Sequence, residues 1–166
     1  PVSGVEVGWM TADILHNVVN HGTARRGKGK VKIGGVEVPI LGKTGTTNDF
    51  RNAAFCGIAP AYVDGAWSLN KGITIASYVG YDNNSKMKRG RIRIAGASGA
   101  LPLWLKTAQG AADSGLLGTP ESDSKWQPAV DLHGQRVNEK TGNTDPNGAA
   151  SIWFYSQSDV WGGEPE

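Results

Sequence analysis

Lys43, Thr44, Gly45 and Thr46 are the residues of this chain whose types and spacing best suit chemistry. They lie in residues 40–60, ILGKTGTTNDFRNAAFCGIAP, where an apolar run turns abruptly small and polar and then apolar again. Thr44 and Thr46 are two apart, so on a strand their hydroxyls point to the same side. Gly45 between them has no Cβ, which lets another chain approach the backbone closely. Lys43 adds a cation on a stem long enough to curl around a strand edge. One short strand, continued by Thr47, thus offers backbone N–H groups, hydroxyls and a positive charge. That set suits an anionic, carbonyl-bearing ligand lying along it.

The triplet Gly42-Lys43-Thr44 also invites a phosphate-loop reading, which needs Gly-x-x-x-x-Gly-Lys-Ser/Thr. Counting back, the first glycine would fall at position 37, which is Glu37. A carboxylate in a phosphate cradle is repulsive, so that reading is rejected. The Lys-Thr-Gly triplet is weakly specific by itself, because Lys140-Thr141-Gly142 repeats it inside the polar run RVNEKTGNTDPNG, which reads as a loop. His16, His21 and His133 show neither ligand nor triad spacing and read as structural or surface residues. Cys56, in AAFCGIA, reads as a small core residue; with one cysteine in the chain, no internal disulfide can form. No metal or cofactor is expected.

The elements that must position this strand follow from periodicity. Ile14, Leu15, Val18 and Val19 form one apolar stripe at helical spacing, predicting a helix over 11–20 with Thr11 capping its start and Gly22 its end. Val31, Ile33, Val36 and Val38 alternate about Gly34-Gly35 and predict a short hairpin. Residues 53–58 and 73–81 read as strands, with turns at Asp64-Gly65 and at Asn70-Lys71-Gly72. After the small-residue loop 96–100, Pro102 near a first helical position and the stripe Leu101, Trp104, Leu105, Ala108, Ala112 predict a second helix. The plan is α+β: an antiparallel sheet flanked by helices. Residues 114–166 read as a polar extension, irregular or mobile, with two apolar islands at 129–132 and 151–155 that read as short strands.

Composition is that of an ordinary soluble domain, 39% apolar and 19% charged in 166 residues. No run approaches the ~20 apolar residues of a membrane span. Pro1 reads as a cut point, so a fragment or processed chain is expected. Charge is uneven: residues 1–112 carry a net +8 and residues 113–166 a net −6. The positive charge clusters in Arg25, Arg26, Lys28, Lys30 and Lys32, and in Lys86, Lys88, Arg89, Arg91 and Arg93. No aromatics interleave these clusters, so we read them as two solvated loops rather than a nucleic-acid or lipid surface.

The flanks of the first Lys-Thr-Gly carry a family resemblance. Upstream is HGTARRGKGKVKIGGVEVPILGKTGTT; downstream are NDFRNAAFCGIAP, SYVGYDN and ASGALPLW. Over residues 10–112 the chain resembles the C-terminal part of the transpeptidase domain of penicillin-binding proteins, most like the bifunctional class A group. The resemblance implies part of the penicillin-binding protein and serine β-lactamase-like fold over residues 1–113. It implies a serine D,D-transpeptidase that cross-links peptidoglycan stem peptides, and D-Ala-D-Ala peptides and β-lactams as ligands. It further implies a location on the outer face of the cytoplasmic membrane, with an anchor and the N-terminal part of the domain outside this chain. Departures are local: the family's RDAWF reads Arg51-Asn52-Ala53-Ala54-Phe55, and the hairpin between Pro60 and Ser77 is longer.

In that family acyl transfer uses an SxxK helix start, an SxN loop and the KTG strand, in that order along the chain. Lys43, Thr44 and Gly45 are thereby implied as catalytic positions, and Thr44, Thr46 and Thr47 as substrate-binding ones. The Thr46 N–H is implied as half of the oxyanion hole. Ser68–Lys71, Ser85–Lys88 and Ser122–Lys125 match SxxK, and Ser68-Leu69-Asn70 mimics SxN, but all follow the KTG strand in turn-like sequence. The nucleophile is therefore expected outside this chain. Rival readings are a D,D-carboxypeptidase or β-lactamase-like hydrolase, and a non-catalytic binding module with a degenerate transpeptidase fold.

Overall fold

The computed structural model describes residues 5–127, 133–138, 140–141, 143–148 and 150–154. Residues Ile14–Gln127 form one compact unit; Pro1–Asp13 and Pro128–Glu166 form another. The architecture is α+β.

Helix α1 (Val5–Asn20) enters the larger unit at Ile14, and from its end the chain passes through a 3₁₀ turn (Arg25–Gly27) to a small hairpin, β1 (Lys32–Ile33) and β2 (Val36–Glu37). A three-stranded antiparallel sheet follows in spatial order β3 (Leu41–Thr46), β4 (Asn52–Val63), β5 (Ala66–Gly80). Along β4 the period is two: Ala53, Phe55, Gly57 and Ala59 are buried, while Ala54, Cys56 and Ile58 face away from the core. A hairpin of β6 (Lys88–Arg89) and β7 (Ile92–Arg93) leads into a π-helical turn (Gly96–Ala100) and helix α2 (Leu101–Asp113).

Helix α2 covers the buried face of the sheet with Leu101, Trp104, Ala108 and Ala112, the predicted stripe; Leu105 is half-buried. Trp104 packs edge-on against Phe55, ring centroids 5.2 Å apart, and its Nε1–H donates to the Ile75 carbonyl at 3.0 Å. Full burial of side chains this large contributes roughly 1.5–3 kcal/mol each. The Gln109 side chain clamps β1 to α2, accepting from Lys32 N–H and donating to Lys32 C=O, both at 2.9 Å. Val19, Val31, Val38, Ile40, Trp67 and Leu117 complete the core.

Several expectations need correction. Helix α1 starts at Val5, so Thr11 lies inside it and bonds the Val7 carbonyl one turn back instead of capping. Asn70-Lys71-Gly72 is no turn but part of β5, beside a register shift at Pro60, which has no N–H for the ladder. A Cβ on Gly72 would run into the Ala59 carbonyl, which is why glycine stands there. Cys56 is exposed, because strand alternation puts it opposite the face that buries Phe55 and Gly57. Leu117, in the stretch read as irregular, is fully buried, and its carbonyl accepts from Tyr62 N–H at 2.8 Å.

In the smaller unit β8 (His133–Val137) pairs antiparallel with β9 (Ala150–Phe154), the latter matching the island at 151–155 as far as residue 154. The island at 129–132 lies outside the described residues. Lys140 and Thr141 sit in the connecting loop, both N–H groups donating to Asn138 Oδ1. Among the described residues no helix is long and apolar enough to cross a membrane.

Candidate functional site

β3 is an edge strand, paired with β4 on one side. Its register sets Lys43 against Cys56, Thr44 against Phe55, Gly45 against Ala54 and Thr46 against Ala53. Thr47 N–H donates to the Asn52 carbonyl at 3.0 Å, so that pair is hydrogen-bonded. Antiparallel pairs alternate, which makes Thr46–Ala53 and Thr44–Phe55 non-hydrogen-bonded pairs. The N–H and C=O of Thr44 and Thr46 therefore point out along the free edge. Lys43, on the opposite face from the threonines, folds around that edge, its Nζ donating to the Thr44 carbonyl at 3.0 Å. Gly45 is exposed, and a Cβ there would meet only Ala54, at 3.5 Å, so the strand keeps open space in front of it.

Thr44 and Thr46 face the side on which α2 begins. The Thr46 hydroxyl accepts from Gly96 N–H at 3.0 Å, which leaves its own proton to donate. Thr44 Oγ1 and Thr23 Oγ1 are 2.8 Å apart, linking the turn after α1 to β3. The π-helical turn packs closely enough that a Cβ on Gly96 would come within 2.7 Å of the Gly45 carbonyl. Between these parts opens a cleft of about 890 Å³ lined by Thr23, Thr44, Thr46 and Ser98 and by Arg25, Arg26, Arg91 and Arg93.

The β3–β4 turn is strained. Asp49 and Phe50 both adopt left-handed backbone, φ 62° and 56°. Such residues persist where surrounding bonds over-determine them. Here Asn52 N–H donates to the Thr47 hydroxyl at 2.9 Å, and Met87 N–H donates to the Phe50 carbonyl at 2.7 Å. Lys86 pairs with Asp49 at 3.0 Å and, by hydrogen bond and charge, holds that carboxyl below its ordinary range. The Arg93 guanidinium lies over the Phe50 ring, 5.5 Å from its centre.

Of the residues predicted from sequence, Thr44 and Thr46 line the cleft, while Lys43 and Gly45 meet the free edge from the other face. Thr47 stands outside the cleft lining, its hydroxyl engaged in closing the turn. Ser68 and Lys71 are on β5, Ser85 is in the loop before β6 with Lys88 on that strand, and Ser122 and Lys125 are in the segment after α2; none starts a helix. Glu37 accepts from Gly29 N–H at 2.8 Å. His16 is half-buried against Trp126, ring centroids 5.4 Å apart; that partial burial, then the charges of Lys28 and His21, push its pKa down to about 4. Sequence reading missed Thr23 and Ser98, and it set the four arginines in two separate loops. The signal for Thr23 was the Gly22-Thr23 turn; nothing in the pattern foretold that the basic loops converge.

Comparison with known proteins bears on this arrangement. No protein-family model matches the chain. It is 37% identical over 93 residues to penicillin-binding protein 1A of Aquifex aeolicus, covering 56% of this chain and 10% of that one. It is 32% identical over 146 residues to penicillin-binding protein 1A of Rickettsia bellii, covering 88% and 15%. The chain is homologous to a part of penicillin-binding protein 1A. The crystal structure of penicillin-binding protein 1A from Haemophilus influenzae superposes with a TM-score of 0.59 at 27% identity, over 90% of this chain and 20% of the solved one. The chain therefore spans about a tenth to a fifth of the penicillin-binding proteins it matches. The α+β arrangement of β3–β5 under α2 is shared with that fold.

Proposed function

We propose that this chain supplies the substrate-gripping strand of a serine D,D-transpeptidase that cross-links peptidoglycan stem peptides outside the cytoplasmic membrane and is acylated by β-lactams. The observation that carries this reading is the layout of β3: two threonine hydroxyls on one side, outward N–H groups at Thr44 and Thr46, open space at Gly45 and a lysine wrapped around the free edge. A peptide ending in D-Ala-D-Ala would add to that edge as an extra strand. Thr44 and Thr46 would hold its terminal carboxylate. The Thr46 N–H would stabilise the oxyanion as the carbonyl is attacked. Lys43 would favour negative charge at the reacting centre. The attacking serine and its base belong, in this reading, to a segment outside residues 1–166 that packs against the free edge; the chain covers 10% and 15% of the two penicillin-binding proteins compared above, which leaves room for such a segment.

The reading is tested by Thr46→Val in the complete protein. Valine keeps the shape and removes the hydroxyl. A hydrogen bond to a charged group contributes roughly 1.5–3 kcal/mol, so acylation by substrates with a free carboxylate should fall about tenfold or more. Amide analogues of the same substrates should lose much less. Equal losses on acid and amide forms would reject the grip.

A further inference from the structure

Two basic stretches far apart in sequence meet at one cleft. Arg25 and Arg26, in the 3₁₀ turn after α1, and Arg91 and Arg93, on the β6–β7 hairpin, line it together with Thr44 and Thr46, and none of its lining residues is an acid. Like charges gathered without counter-charge repel one another, and a single terminal carboxylate would neutralise one of the four. Each guanidinium presents a planar fork suited to a carboxylate. Phe50 beneath Arg93 restrains one of these forks, and Ile92, 70% exposed between two arginines, adds an apolar contact at the rim. A cleft of about 890 Å³ has room for more than one carboxylate.

We propose that this cleft is a second anion subsite continuing from the Thr44–Thr46 grip, and that its ligand is a peptide carrying a side-chain carboxylate besides its terminal one. The inference rests on the reading of β3 as the strand that holds the terminal carboxylate. It makes the four arginines specificity-determining residues, since they touch substrate beyond the reacting atoms.

The test uses the complete protein and two pentapeptides ending in D-Ala-D-Ala, identical except that one bears a free side-chain carboxylate and the other its amide. Calorimetry should show the free acid bound about tenfold more tightly by the wild type, as expected for one charge-assisted pair. The Arg91→Gln/Arg93→Gln variant should lose that preference while unfolding at the wild-type temperature. The Arg25→Gln/Arg26→Gln variant, altered on the other wall, should lose it too. Equal wild-type affinity for acid and amide overturns the proposal, and so do variants that weaken both peptides alike. Tighter binding of a short polyphosphate than of the free-acid peptide overturns it as well, assigning the cleft to phosphate. A wild type that takes up no penicillin but still prefers the free acid would sink the transpeptidase reading and support the subsite.

Discussion

Gly45 separates a structural from a functional role most cleanly. A methyl group there meets Ala54 at ordinary van der Waals distance, and the residue does not have the left-handed backbone that would strain a side chain. Gly45→Ala is therefore expected to leave the thermal unfolding of the complete protein nearly unchanged. The same methyl projects from the strand along which a peptide is proposed to lie, so penicillin acylation should fall about tenfold or more, as for the loss of one close backbone pairing. A variant that unfolds early yet acylates normally would contradict both halves of the argument. Lys43 behaves differently. Its ammonium is exposed and bonds a carbonyl of its own strand, so its contribution is charge delivered to the edge rather than packing.

The C-terminal half of α1 docks through His16, whose ring meets Trp126 in a crevice also lined by Lys28, Glu37 and Lys125. The folded pKa is pushed down to about 4 from an ordinary 6.5. Between those values the unfolded state binds the extra proton, so stability is full above about pH 6.5 and declines as pH falls toward 4. Each pKa unit corresponds to about 1.4 kcal/mol; because the ring is only partly shielded from solvent, a local loss on the order of 1–2 kcal/mol is expected. Hydrogen exchange of the α1 amides near His16 should quicken accordingly from neutral pH to about pH 4.5, and His16→Gln should flatten that dependence. An unchanged profile in the variant would remove His16 as the cause.

The elements also show what the sequence made legible. The stripe of α2 and the Gly34-Gly35 hairpin were readable because apolar spacing there had one interpretation. β6 and β7 were not, since in NNSKMKRGRIR charge falls on both faces and leaves no alternation. Asn70-Lys71-Gly72 read as a turn because its residues are turn formers, yet it lies inside β5 as the unpaired stretch opposite Pro60, with pairing resumed on either side at Ser68 and Ile73. At the cleft, the shared side of Thr44 and Thr46 was readable from their two-residue spacing. The arginines of the cleft were not, because their meeting depends on the path of the whole chain.

At the scale of the molecule, acyl transfer needs a nucleophile with a base beside it. Ser68, Ser85 and Ser122 have a lysine three residues on, but they sit on a strand or in loops, where that spacing does not stack two side chains on one helical face. Ser98 lines the cleft, but its hydroxyl accepts from Ala95 N–H at 2.9 Å, and the lining residues include neither lysine nor histidine. Residues 1–166 alone should therefore form no covalent adduct with labelled penicillin, as read by intact mass. A stoichiometric adduct on any of these serines would mean that the chemistry is contained in this chain after all.

The β4–β5 turn has a practical use. Asp64 and Gly65 form a two-residue turn with both residues left-handed, φ 53° and 83°, and both exposed. From Val63 back to Ala54, the neighbour of Gly45, the strand runs about 30 Å at roughly 3.3 Å per residue. A peptide tag, a dye or a small reporter domain spliced between Asp64 and Gly65 would therefore sit at the far end of the sheet from Thr44 and Thr46, the grip proposed above. Its signal could follow ligand capture from a distance without standing in the ligand's way.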